Sequence, residues 1–500
     1  MAKGQGRTAG AAQDQGGGSG AAPRGTVLSV ASECVPLVKT GGLADVVGAL
    51  PRALAAEGFA VRTLIPAYPG LTKALTHERE VWAEADLFGG PGRVLAGRAE
   101  GLDLLLLEAP HLYDRPGGPY GAGGQDFPDN PERFAALSWA AAAIARGGTA
   151  EGWRPAILHA HDWQGGLAPA YLRFAGDSAV RSVLTIHNIA FQGIAPADRL
   201  SALRLAPGTF TPELVEYYGS ISALKAGLVT ADAITTVSPG YAQELMRPEF
   251  GMGLQGVIAA RAGRLHGILN GVDTEVWNPA TDPGIVPYSA RAMAGKARNR
   301  AALIAEFGLG EVPGPLAILV SRLTHQKGID IIAEALPDFI AAGGGLAVLG
   351  AGDPALEAAM RAAAAHFPGR VGVTIGYDEA LSHRMFAGGD AVLIPSRFEP
   401  CGLTQMYGLR YGTIPVVALT GGLADSVIGV TPATLAARAA TGITFHPVDA
   451  LALRQALAKL VALHADRAEW TALRARAMRA EVGWDRAAAA YAALYRSLAA

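Results

Sequence analysis

From Thr26 onward, short apolar runs alternate with amphipathic stretches. The runs TVLSV (26–30), AVRTLI (60–65), LDLLLLE (102–108), AILHA (156–160), SVLTI (182–186) and AITTV (233–237) have strand length and are nearly unbroken in hydrophobicity. Apolar positions between them fall at helical spacing: Leu43, Val46, Val47, Leu50 and Leu54 share one face. Continuous apolar strands separated by amphipathic helices predict a parallel sheet covered on both faces. The pattern then restarts with LAILV (316–320), GLAVLG (345–350), VGVTI (371–375), AVLIP (391–395), IPVVA (414–418) and GITF (442–445). Between the two sets, HGILNGVDTEVWNPATDPG (266–284) is rich in turn residues and marks a passage near Asn270. The expected fold class is α/β, with two Rossmann-like doubly wound domains, residues 26–268 and 269–483. A closing helix spans 484–500. Its face of Trp484, Ala487, Tyr491, Leu494 and Leu498 needs a partner, and the first domain can supply one.

Composition narrows the function classes. A chain of 500 residues exceeds what one hydrophobic core usually organises, in keeping with two domains. A net charge of −2 argues against nucleic acid as the main partner. No apolar run reaches membrane-spanning length, so no membrane partner is expected. The two cysteines, Cys34 and Cys401, make no disulfide framework in a chain this long and suit a reducing, cytoplasmic setting. The first 25 residues are rich in Gly, Ala and Gln, lack the apolar segment of a signal peptide, and read as a flexible tail.

Candidate chemistry begins with a repeated string. TGGLAD occurs at Thr40–Asp45 and at Thr420–Asp425, once per predicted domain, each time opening a predicted helix. Glycine permits close backbone approach, and a helix N-terminus presents unpaired N–H groups suited to phosphate. Ligands of open α/β sheets sit beyond the carboxyl ends of the strands, so two such loops can close on one ligand across a cleft. Arg322 and Lys327 follow strand LAILV, where cations oppose the helix dipole unless an anion arrives. HAHD (159–162) has a ligand-like look, but strand alternation puts both histidines on one face and no third cluster stands near; packing and hydrogen bonding are expected, with no metal. GAGDPA (350–355) fits a dinucleotide fingerprint, which keeps an oxidoreductase as a rival reading.

Long stretches around these residues resemble the bacterial glycogen synthases and plant starch synthases. They are SECVPLVKTGGLADVVGALP (32–51), SRLTHQKGID (321–330) and PSRFEPCGLTQMYGLRYGTIPVVALTGGLADSV (395–427), supported by PYG, HDW, IHNIAFQG, ILNGVD and IGYDEALSH. The resemblance implies a GT-B retaining glucosyltransferase that needs no cofactor or metal. It would carry glucose from ADP-glucose to the non-reducing-end 4-hydroxyl of glycogen or another α-1,4-glucan. A UDP-glucose-dependent synthase and a phosphorylase remain the alternatives within sugar chemistry.

By the same resemblance, Arg322 and Lys327 hold the diphosphate; the N–H groups at Thr420, Gly421 and Gly422 are expected to add helix-terminus donors. Lys39, Gly41, Gly42 and Asp45 reach the donor or acceptor from the first domain. Asp162 and His187 contact the transferred glucose, Asn188 beside them is a substrate-binding candidate, and Tyr120 is expected to cover the sugar. Asn270 touches the donor, and Tyr377 stacks on the base. Glu399 binds the sugar and steadies its positive charge, without acting as nucleophile, beside Cys401, Gly402, Leu403 and Thr404.

Overall fold

The computed structural model describes residues 25–499. The tail expectation lies almost wholly outside them. Nine strands form the first sheet: β1 (Gly25–Val30), β2 (Phe59–Pro66), β3 (Thr76–Glu84), β4 (Gly92–Ala99), β5 (Leu102–Glu108), β6 (Ile157–His161), β7 (Arg181–Ile186), β8 (Ala233–Thr236) and β9 (Leu265–Gly267). Their order is β9-β8-β7-β6-β1-β2-β5-β4-β3. Pairing is parallel from β9 through to β5, and β4 and β3 add an antiparallel edge. That edge has no counterpart among the expected strands. The outermost strand begins THERE, and these charged, exposed positions hide its periodicity while protecting the sheet edge from further pairing.

The second sheet holds β10 (Leu316–Val320), β11 (Gly345–Gly350), β12 (Val371–Ile375), β13 (Ala391–Ile394), β14 (Ile414–Ala418) and β15 (Ile443–Phe445), in the order β12-β11-β10-β13-β14-β15 and all parallel. All but one of its residues from 316 to 320 are buried, as expected of a central parallel strand.

Strand order locates the functional ends. In the first sheet the chain runs outward from β1 in both directions, through β2 on one side and β6 on the other. In the second, β10 lies between β11 and β13. These are the topological switch points, where ligands bind in doubly wound folds. Glu33 and Lys39 follow β1, Asp162 follows β6, Arg322 follows β10, and Glu399 follows β13.

The last helix, Asp485–Ala499, packs on the first sheet and not on the domain it follows. Trp484, Ala487, Tyr491 and Tyr495 join Val46, Leu50 and Leu54 of the helix Gly42–Ala56, together with Val27 and Val183 of the sheet, in one buried cluster. Arg496 ties its outer side to Glu57 at 3.0 Å.

Candidate active site

The first TGGLAD loop is organised by a residue the sequence reading passed over. Glu33, 3% exposed, accepts hydrogen bonds from the backbone N–H and hydroxyl of Thr40, from Gly41 N–H and from the Tyr120 hydroxyl. One carboxylate thus fixes the loop and the tyrosine expected to cover the sugar. Burial, then the charge of Glu33, pushes the Tyr120 phenol far above its ordinary range, so it stays protonated and donating. The only signal for Glu33 was an acidic residue inside a mostly apolar stretch. Gly42 opens the helix; nothing lies within 4 Å of a Cβ placed on Gly41 or Gly42, so open space borders both. Lys39 reaches Asp45 at 2.8 Å. The pair lies within electrostatic range of Tyr377 and Glu379 in the second domain.

Asp162 begins the helix Asp162–Phe174 with φ of 49°, a left-handed conformation that is strained for any residue but glycine. Its Oδ1 accepts His187 N–H at 2.6 Å and Asn188 N–H at 3.3 Å, which shapes the loop after β7. Burial raises the Asp162 carboxyl to about 7, and these two backbone donors only partly offset it. The His187 ring meets His161 at 3.0 Å, and burial lowers its pKa to about 3, so the imidazole is neutral. Asn188 turns its own Oδ1 onto Ala190 N–H at 3.0 Å. His159 and His161 are hydrogen-bonded and packed, and no group of three or more His, Cys, Asp and Glu residues among those described is placed to hold a metal ion.

In the second domain, Lys327 closes a one-turn helix, His325–Lys327, and its Nζ lies 2.5 Å from Glu399 Oε2. Ser396 donates to the same oxygen at 2.9 Å. Arg322 is exposed, and no carboxylate among the described residues pairs with it. Gly402, with φ of 70°, lets the FEPCG turn fold back; a side chain there would strike Gln405 at 2.6 Å. Leu403 caps, and Thr404 opens, the following helix, both partly buried. Asn270, 6% exposed, lies against Cys401 with its Oδ1 unpartnered by protein. Burial raises the Cys401 thiol to about 12, which denies it a nucleophilic thiolate. Tyr377 stands 79% exposed, its hydroxyl 3.1 Å from Glu379.

The second TGGLAD loop departs from expectation. Its N–H groups were expected to serve phosphate, but protein acceptors hold them. Thr420 N–H goes to Ala418 O, Gly421 N–H to Glu244 Oε1 at 2.8 Å and Gly422 N–H to Glu399 O at 3.0 Å. Glu244 also accepts from the Thr420 hydroxyl at 2.9 Å, and Asp425 accepts from Gly240 N–H at 2.6 Å. Ser238 adds a bond to Pro400 O at 2.6 Å. The loop is a joint between the first domain's segment 238–244 and the FEPCG turn. GAGDPA is likewise closed: Asp353 caps its own helix and Glu357 takes Gly352 N–H at 2.9 Å. Its glycines allow close packing on Ser321 O and Leu323 O, which does not suit a dinucleotide.

Comparison with known proteins matches both domains. The family model described as starch synthase catalytic domain matches residues 26–260, and that of group 1 glycosyl transferases matches 314–462. A glycogen synthase of Cereibacter sphaeroides is 67% identical over 477 residues, covering 95% of this chain and 99% of that one. One from Paracoccus denitrificans is 59% identical over 475 residues, covering 95% and 99%. The catalytic domain of starch synthase IV from Arabidopsis thaliana, solved bound to ADP and acarbose, is 32% identical with a TM-score of 0.83, covering 95% and 99%.

Proposed function

Since this chain belongs to the glycogen and starch synthase family, we propose that it transfers glucose, with retention, from ADP-glucose to the non-reducing-end 4-hydroxyl of glycogen or a similar α-1,4-glucan, releasing ADP. The fold is GT-B, and the chain is a hexosyltransferase. The second domain takes the nucleotide sugar and the first takes the acceptor. The C1–oxygen bond to the diphosphate breaks as the acceptor 4-oxygen bonds to C1 on the same face. The hydroxyl proton leaves with the phosphate oxygen.

The observation that carries this reading is the charge layout at the second switch point. Arg322 is an exposed cation that no carboxylate among the described residues pairs with, five positions before Lys327, which is partly buried and bonded to the buried Glu399. The unpaired guanidinium and the lysine meet the charge that grows on the leaving diphosphate. Glu399, anchored by Lys327 and Ser396, supplies negative charge near the sugar carbon while staying too engaged to attack it. On the opposite wall, neutral His187 and the Asp162-shaped loop suit an uncharged sugar. Tyr377 offers an exposed ring for the base. No metal enters the proposal, and the two free, buried cysteines support a cytoplasmic setting. No helix among the described residues is long and apolar enough to cross a membrane.

Nucleoside-diphosphate release from ADP-glucose and UDP-glucose, with and without glycogen, tests the reading. Glycogen-dependent ADP release with little UDP release is expected. Strong UDP release would overturn the donor, and no release from either would overturn the activity.

A further inference from the structure

His187 is the one imidazole in the proposed sugar site, and what it can do depends on which ring nitrogen carries the proton. Two more buried histidines, His161 and then His159, line up beside it. Ser29 and His159 are register partners on β1 and β6, and His161 pairs with Thr185 on β7, which pairs with Thr235 on β8. Together they make a polar stripe on a sheet face otherwise filled by apolar residues and covered by the C-terminal helix.

Hydrogen-bond valence assigns the protons. A neutral imidazole has one donor and one acceptor, and a buried hydroxyl hydrogen needs an acceptor. All three rings are held neutral by burial. The Tyr495 hydroxyl, fully buried, has His159 Nδ1 as its one partner among the described residues, at 2.7 Å. The hydroxyl therefore donates, Nδ1 accepts, and His159 Nε2–H donates to Thr185 at 2.6 Å. The same logic governs the neighbouring chain. Ser29, 5% exposed, has His161 Nε2 as its one side-chain partner among the described residues, at 3.2 Å. If Ser29 donates, His161 carries its proton on Nδ1 and gives it to His187 Nε2 at 3.0 Å. His187 must then hold its own proton on Nδ1. That nitrogen makes no protein hydrogen bond among the described residues and is not among the sealed polar atoms, so it is the open end of the ring.

We propose that Ser29 is a positioning residue for His187, acting through His161 to fix it as an Nδ1–H donor toward a substrate oxygen. Ser29 lies two hydrogen bonds from the site, on the central strand. The consequence is that His187 offers a hydrogen bond to the sugar and takes no proton. This agrees with the leaving phosphate accepting the acceptor's proton. The inference rests on the placement of His187 in the proposed site.

Without the serine hydroxyl, His161 is free to take the other tautomer, and His187 then flips to Nε2–H with a bare Nδ1. Two-bond proton–nitrogen correlation spectra of histidine-labelled protein read each tautomer. The wild type should show His187 as Nδ1–H and His159 as Nε2–H. Ser29→Ala should shift His187 toward Nε2–H and lower kcat about five- to tenfold, the loss of one hydrogen bond to substrate, with KM for the donor within about twofold. Ser29→Thr keeps the hydroxyl and should restore both the spectrum and kcat to within about twofold. Three results would overturn the proposal. One is a wild-type His187 protonated on Nε2. Another is Ser29→Ala with unchanged tautomer and kcat. The third is Ser29→Thr as impaired as Ser29→Ala, which would mark a packing effect. The spectra need no substrate. A chain that transfers no glucose therefore refutes the proposed activity while the spectra still judge the relay.

Discussion

The same six residues do different work at the two ends of the chain. At Thr40–Asp45 the glycines face open space, and the loop is held from behind by Glu33, seven residues upstream. At Thr420–Asp425 a Cβ on Gly421 would lie 2.1 Å from Glu399 O, and one on Gly422 would lie 2.2 Å from Cys401 O. Each loop has its threonine gripped by a glutamate, but the second glutamate, Glu244, comes from the opposite domain. The first copy keeps room for a ligand. The second uses its missing side chains to seat the FEPCG turn and to join the domains. A Gly-rich helix start is permission for close approach, and the tertiary neighbour decides what approaches.

The comparison breaks most visibly at Glu399, whose turn the second loop seats. Glu399→Gln should lower kcat by about 10²- to 10³-fold with KM for the donor changed far less, read from initial rates of ADP release. An unchanged kcat would leave the second loop supporting nothing catalytic. The next effect is a pH dependence on the first loop's side. Asp162 has its folded pKa raised to about 7 by burial. Between the unfolded carboxyl value and about 7 the folded state therefore binds the extra proton, and this group's contribution to stability falls as pH rises. Asp162→Asn keeps an oxygen acceptor and removes that penalty. Its stability relative to wild type should improve on the order of a few kcal/mol from pH 4 to pH 8, measured by denaturant unfolding. A pH-independent difference would contradict the raised value.

A direct contrast of the loops comes third. Gly422→Ala should cost about 1–3 kcal/mol by forcing the FEPCG turn away, whereas Gly41→Ala, with extended φ and open space, should leave thermal stability nearly unchanged. Equal losses would erase the distinction. The smallest effect sharpens it. Glu244→Ala frees Gly421 N–H, which a phosphate-binding loop would exploit. We expect KM for ADP-glucose within about twofold of wild type, with faster amide exchange at Gly421 as the structural sign. A clear fall in KM would return the second loop to the diphosphate.

Much of this is legible in the sequence. The central strands, the helix over Leu43–Leu54, the placement of Lys39, Asp162, His187, Arg322, Lys327 and Glu399 after strands, and the family itself followed from local hydrophobic period and long motifs. Local pattern suffices there because a buried strand or an amphipathic helix writes its burial into neighbouring residues. The charged edge strand THEREVWAE lacked that signature and was missed. Tertiary structure alone decided the rest. It chose Glu33 and Glu244 as the two clamps, closed the second loop and GAGDPA to phosphate, laid the C-terminal helix on the first sheet, and linked Ser29 to His187 across 158 positions. These depend on which distant side chains meet once the sheets are assembled. A hydrogen bond is satisfied by any suitable partner in space, so the sequence marks the groups that need partners and the fold determines which ones they get.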